Sequence, residues 1–356
     1  MIGVVLSQLK NRRVWLVIAL LVVLVLLALG VRAWRQQAFQ WDLFLSTFRK
    51  MDLWWVGGGG LFAFSTYLGR ALRWKILIAS QKRNVSLRRL FVATAIGFTA
   101  IVLFGRPGEF VRPYLIAIKE RLSFSSQVAA LVLERIYDLM MALFIFGFSL
   151  SRVRSSGVQL GDHLNWVLEA GGYFVALIAL LCVVIFIALR QFGDASKARI
   201  LAGAKFLPGH YYLTFEKILD SFAQGVQSTR DWKAICGALG YSVVEWGLIV
   251  GSYVCIFRAS PVTSHFTIMD VMIFVGFVAF GNVIQIPGVG GGLQIVSVLV
   301  LTELFGIPLE LSSGLAVILW AITFVVIVPF GLALAFHDGL NWKKLRHLKE
   351  EAPNPE

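Results

Sequence analysis

The stretch GRPGEFVRPYLIAI, residues 105–118, follows directly on the apolar run Leu90–Phe104 and decides how the chain is read. An apolar run that meets Gly-Arg-Pro-Gly and then resumes cannot be one straight helix. Pro107 lacks the N–H that a helix interior needs, and Gly105 and Gly108 permit tight backbone. Each arm is short for the roughly 20 residues of a full crossing, so the spacing predicts a re-entrant hairpin over 90–118. The pattern returns as Val271–Ile286 followed by PGVGGGLQIVSVLVLTELFG (287–306), a second predicted hairpin over 271–306. Its break is built from Pro287, Gly288, Gly290, Gly291 and Gly292. With no Lys or Arg beside them, these glycines read as close-packing positions rather than a phosphate cradle.

Composition supports a membrane setting for these hairpins. The chain has 356 residues, 58% hydrophobic and 15% charged, with 28 Phe, 11 Trp and a mean hydropathy of +0.77. A soluble domain carries about 25% charged residues, so a soluble enzyme, a disordered chain and a disulfide scaffold are all excluded. The net charge of +13 sits between apolar runs, which points to anionic phospholipid rather than nucleic acid. Cys182, Cys236 and Cys255 lie in apolar stretches without CxxC spacing, and the five His are scattered singly. No metal, cofactor or nucleotide motif is read.

Runs long enough to cross are Leu53–Leu72, Val128–Leu150, Trp166–Leu189, Ala234–Phe257 and Leu315–Phe336. The flanks of Val14–Gly30 (Lys10, Arg12 and Arg13 before, Arg32 after) fit a retained first span better than a cleaved signal peptide. If both hairpins return to their side of entry, six crossings leave both termini cytoplasmic. Of the 33 Lys and Arg, all but Arg32, Arg35, Arg49, Lys50, Arg152, Arg154 and Arg258 then face inward, as the positive-inside bias requires.

The two halves correspond. Asp52 matches Asp231, Gly97-Phe98 matches Gly276-Phe277, and Pro107-Gly108 matches Pro287-Gly288. Each half also carries an amphipathic segment, with Trp34, Ala38, Trp41, Leu45 and Phe48 on one face of the first and Tyr212, Phe215, Leu219, Phe222 and Val226 on one face of the second. Such segments are expected to lie in the membrane interface. Three crossings per half turn the second repeat upside down, an architecture of transporters. The expected fold is an all-α polytopic membrane protein: six crossings plus two re-entrant hairpins in inverted repeats, with interfacial amphipathic helices. The expected units are 1–156, 157–340 and a cytoplasmic tail, 341–356.

Charges within apolar segments are costly unless paired or hydrated and therefore mark function. The densest group is Arg106, Glu109 and Arg112-Pro113 in the first hairpin, with Glu134, Arg135 and Asp138 in the span after it. Arg106 and Arg112 are guanidinium forks suited to a phosphate, and Glu109 could neutralise them in its absence. Glu134 and Asp138 share a helix face and need a cation, with Arg112 or Arg135 as the expected partner. The group reads equally as a ligand site and as a network pinning the hairpin to its neighbour. Arg70 and Arg73 in GRALRWK (69–75) read as a snorkelling basic anchor, with phosphate contact at a cavity mouth as the alternative. Glu245, alone within a span, reads as a neutral, hydrogen-bonded buried acid, with facing the cavity or relaying a proton as the alternatives. Asn282, Gln285 and Gln294 surround the second break and offer uncharged contacts to a head group.

Four stretches, GRPGEFVRPYLIA (105–117), LERIYDL (133–139), RALRWKIL (70–77) and IPGVGGGLQ (286–294), resemble the lysylphosphatidylglycerol synthase transmembrane-region family of flippase-like integral membrane proteins. The resemblance implies a module that moves aminoacylated phosphatidylglycerol or polyprenyl-linked glycolipids between leaflets. It places the family's Arg, Glu and Arg-Pro on Arg106, Glu109 and Arg112-Pro113, and its Glu-Arg-x-x-Asp on Glu134, Arg135 and Asp138. Gln294 stands where the family often has Glu, which removes a charge from the second hairpin. No aminoacyl-transferase domain follows the last span, so aminoacylation by this chain is not implied.

The resulting expectation is an inner-membrane lipid transporter rather than an enzyme, binding an anionic (glyco)phospholipid or polyprenyl-phosphate head group. The alternatives are a glycosyl- or phospho-transferase acting on a lipid-linked substrate, or a non-transporting partner of an envelope enzyme. A homo-oligomer is compatible with each.

Overall fold

The computed structural model describes residues 39–155, 162–191, 194–204, 208–229, 231–281, 285–286 and 290–338. The expected first span Val14–Gly30, Trp34, Ala38, Asn282, Pro287, Gly288 and the tail 341–356 lie outside them. Within the described residues the protein is an all-α membrane protein. The short amphipathic α1 (Trp41–Arg49) leads into α2 (Leu53–Leu77). The first hairpin is α3 (Leu87–Phe104), a 3-10 turn (Arg106–Phe110) and α4 (Val111–Glu120). Three long or paired elements follow: α5 (Phe124–Ser155), α6 (Asp162–Arg190) and the pair α7 (Asp194–Gly203) and α8 (Gly209–Val226). Then come α9 (Trp232–Ala259), the second hairpin arms α10 (Ile268–Gly281) and α11 (Gly292–Glu303), and finally α12 (Leu309–Thr323) and α13 (Val328–His337). Among the described residues, Leu87–Phe104, Trp232–Ala259 and Leu309–His337 are long and apolar enough to cross a membrane.

Local chemistry sets several boundaries. The Asp52 carboxylate accepts from the Trp54 N–H at 2.9 Å and opens α2, while Asp231 accepts from the Lys233 N–H at 3.0 Å and opens α9. The two residues matched in sequence thus perform the same N-capping task. The last span is not one continuous helix. A 3-10 turn at Val325–Ile327 separates α12 from α13, next to Pro329, which has no N–H to donate.

The first hairpin closes on itself. Gly105, at φ 71°, ends α3, and α4 packs back along it. A Cβ on Gly97 would lie 2.6 Å from the Arg112 Cβ, and one on Gly108 would lie 2.6 Å from the Ile101 nitrogen. The arms meet at backbone contact, and only glycine leaves room for it. One expectation is corrected. The first arm has 18 residues and is long enough to cross, because the helix starts at Leu87 and includes Arg88 and Arg89, whose long stems carry charge to the helix end. Only the 10-residue return arm is short. In the second hairpin Gln285–Ile286 pairs antiparallel with Gly290–Gly291, and α10 and α11 pack together.

Packing between the halves is reciprocal. At the centre α2 lies along α9, with the Ser252 hydroxyl donating to the Gly59 carbonyl at 2.8 Å. Helix α1 rests on α12, where Thr47 meets Gly314, and α8 rests on α5, where Gly225 meets Ser126 and Ala129. Helix α10 packs on α5 through Gly276 and Ser149, and α13 packs on α3 through Gly331 and Thr99. Small residues at each crossing let backbones approach in an environment where water supplies no hydrophobic drive between helices. One apolar core surrounds Trp74, Leu77, Ile116 and Leu133, and a second surrounds Phe257, Phe274, Leu301 and Leu315.

Candidate functional site

Four helices bring their charges to one place. Arg70 and Arg73 lie one turn apart on α2, Glu134 and Asp138 one turn apart on α5, Ser242 and Glu245 one turn apart on α9, and Arg112 enters from the hairpin arm α4. The 3–4 spacing puts each pair on a single helix face, and the α2–α9 packing turns those faces together.

Arg73 is the hub and is fully buried. Its guanidinium donates to Asp138 at 2.7 Å, to Glu134 at 2.8 Å and to the Ser242 hydroxyl at 2.9 Å, and it lies 3.2 Å from Glu245. Arg70 pairs with Glu245 at 2.6 Å and stands 3.7 Å from both Glu134 and Asp138. Arg112 forks onto Glu134 through both terminal nitrogens. The Arg112 guanidinium carbon lies 4.1 Å from the centre of a Trp74 ring and 5.3 Å from that of Phe98, so aromatic faces shield the charge that the ion pair leaves. Arg135 reaches Asp138 at 3.6 Å.

This geometry settles two readings left open by the sequence. The snorkelling anchor is incorrect for Arg73, which sits inside the protein because three carboxylates surround it. Glu245 is not a solitary buried acid, because Arg70 and Arg73 flank it. The partner of Glu134 is Arg112, as expected, together with Arg73, which was not. Ser242, Trp74 and Phe98 were not read as site residues from the sequence. The Ser242/Glu245 spacing on one apolar helix was the available signal.

Among the described residues, four guanidiniums in this cluster face three carboxylates, leaving one positive charge without a carboxylate. Arg106 and Glu109 pair with each other at the hairpin turn and leave that balance unchanged.

A half-open cavity of about 340 Å³ lies against the cluster. Its charged end is formed by Arg70, Arg106, Glu109, Arg135 and Asp138, and its remaining wall includes Trp246, Ile249, Tyr253, Val278 and Phe324. The Trp246 indole N–H has no hydrogen-bond partner among the described residues. A smaller cavity of about 100 Å³ adjoins it, sharing Arg70, Phe98 and Tyr253. Six of the residues singled out in the sequence therefore divide in two. Arg106, Glu109, Arg135 and Asp138 reach the cavity. Arg112 and Glu134 lie behind it as a buried strut. Among the further candidates, Arg70 reaches the cavity, while Arg73 and Glu245 are not in its wall.

The second hairpin contributes differently. The Gln294 side chain accepts from the Gly291 N–H at 2.7 Å, holding the start of α11 where Gly291 stands at φ 130°. Its visible task is capping the break, and it does not line the 340 Å³ cavity.

A family model described as the lysylphosphatidylglycerol synthase TM region matches residues 14–331. No curated protein and no solved structure matches the chain.

Proposed function

From the premise that the chain belongs to the lysylphosphatidylglycerol synthase TM region family, we propose that it binds the phosphate-bearing head group of an anionic lipid and passes that lipid between leaflets. The observation that carries this reading is the charge balance of the cavity. A cluster with four arginines and three carboxylates lacks one anion, and the missing charge would come from a single phosphate. A cavity charged at one end and apolar along its wall suits an amphiphile, with the head group at Arg70, Arg106 and Arg135 and the chains toward Trp246, Ile249 and Val278.

In this reading Arg106 exchanges Glu109 for the phosphate, since an exposed pair costs little to break. Arg112, Glu134 and Arg73 keep the hairpin fixed against α2 and α5 while the lipid moves. The basic end of the molecule, with Lys75, Lys82, Arg83, Arg88 and Arg89, faces the cytoplasm. The site moves a bound molecule and makes no bond.

Transfer of labelled phosphatidylglycerol in proteoliposomes tests the proposal. Replacing Arg70 or Arg106 by Gln removes a charge-assisted contact, which predicts a loss of roughly tenfold or more. Transfer at the wild-type rate in both variants would overturn it.

A further inference from the structure

A second polar recess, of about 440 Å³, opens at the basic end of the molecule, away from the charged cavity. Three separate chain reversals build it. Ser80 and Gln81 come from the turn after α2, Arg121 and Ser126 from the α4–α5 junction, and Gln224 and Gln227 from the end of α8. Its wall offers hydroxyl, amide and guanidinium groups, and no carboxylate of the described residues is part of it.

Arg121 is its only charged group among the described residues. It makes no ion pair with a described residue and is exposed. It also stands at φ 55°, the one positive φ among described residues other than glycine. Helix ends of this kind favour Gly or Asn, and a bulky side chain there is strained. The chain thus keeps a guanidinium at a position where backbone preference alone would place glycine.

Part of the wall is held in advance. The Trp74 indole N–H donates to Gln127 at 3.1 Å. The Gln127 amide then donates to the Ser126 hydroxyl at 3.1 Å and to Gln81 at 3.3 Å. Gln127, buried behind the wall, thus holds Ser126 and Gln81, so two groups of the recess wall are fixed before any ligand arrives, which lowers the cost of binding. A lone guanidinium fork with several hydroxyl and amide donors matches a phosphate and its hydroxylated substituent. The volume lies in the range of small-ligand sites.

We propose that this recess is a second binding site, for a phosphorylated polyol, with the phosphate on Arg121 and its hydroxyls toward Gln224 and Gln227. The group occurs both as a soluble phosphate ester and as a glycerophospholipid head group.

Calorimetric titration of the full chain in detergent with glycerol 3-phosphate tests the site, carried out in an Arg70→Gln background so that the charged cavity does not contribute. Arg121→Gly removes the guanidinium and relieves the positive φ, so folding is retained while affinity falls at least about tenfold. Gln227→Ala, on an exposed residue, is the second variant and lowers affinity about threefold or more. The same variants in nanodiscs of phosphatidylglycerol, with phosphatidylcholine as reference, separate the two sources. Arg121-dependent binding of the soluble ester assigns the site to a soluble ligand, and Arg121-dependent retention of phosphatidylglycerol alone assigns it to a lipid head group. Either supports the site. Binding unchanged in Arg121→Gly, or none of either probe to the parent chain, overturns it. Failure here leaves the cavity proposal standing, because that proposal is read from lipid transfer in chains with Arg121 intact.

Discussion

At the scale of single residues, burial rather than charge separates the arginines. Arg73 is enclosed by Glu134, Asp138 and Glu245, so Arg73→Met removes the guanidinium at the centre of the three carboxylates and leaves them to Arg112, Arg135 and Arg70 at their edges. Breaking a buried pair costs about 3–5 kcal/mol, and the variant should show a thermal midpoint far below wild type, or fail to accumulate. Arg106 is 43% exposed and pairs with Glu109, its neighbour at i+3. Arg106→Gln should change stability by less than about 1 kcal/mol while lipid transfer falls. Equal destabilisation by the two variants, read from thermal unfolding in detergent, would contradict this division between strut and binding group. The sequence displayed both arginines as charges near apolar runs. It gave no view of their depth, because depth depends on which helix packs opposite.

At the scale of elements, the first hairpin depends on two glycines that let its arms touch. A Cβ at Gly108 falls on the Ala100–Ile101 backbone, which cannot rotate away. Gly108→Ala should therefore disrupt the fold-back of α4 on α3 and free the Arg112–Glu134 contact, seen as faster proteolysis of the 105–120 segment. The helix starts are more forgiving. Asp52→Ala and Asp231→Ala each remove one cap and should each cost about 1 kcal/mol, with similar losses because the two residues do the same work in matched places. A large loss in one and none in the other would show that the correspondence is confined to sequence. The break of the hairpin was legible from Gly-Arg-Pro-Gly. The length of its first arm was not, because Arg88 and Arg89 end an apolar window without ending a helix.

At the scale of the whole molecule, the last helix closes against the first hairpin. Lys119 at the end of α4 pairs with Asp338 just after α13, while Gly331 meets Thr99 and the Ala95 carbonyl. The Lys119 ammonium beside it holds the Asp338 carboxyl below its ordinary value of 3.8. A carboxyl depressed in the folded state contributes stability above its unfolded pKa and loses it as pH falls through the lower folded value. The midpoint difference between wild type and Asp338→Asn should hold steady from neutrality to about pH 4 and shrink below it. A difference already gone at pH 6 would remove the carboxylate from the closure. Gly331→Val should separate α13 from α3, and Thr99→Ala should restore only part of the loss, because the Ala95 carbonyl stays in place.

The sequence by itself determined the solvent, the helical class, the two chain breaks, the match of Asp52 with Asp231 and the family. Each of these follows from composition or from local backbone chemistry, which a linear chain displays. Only the tertiary structure decided that Arg73 is the hub, that Arg70 faces the cavity while Arg112 stands behind it, and that Glu245 has partners. Those roles arise when α2, α4, α5 and α9 bring together hydrogen-bonded groups from 22 to 169 residues apart. Whether an arginine is a strut or a binding group depends on how many carboxylates enclose it and on the empty space beside it, and both are set by the helices that pack around it.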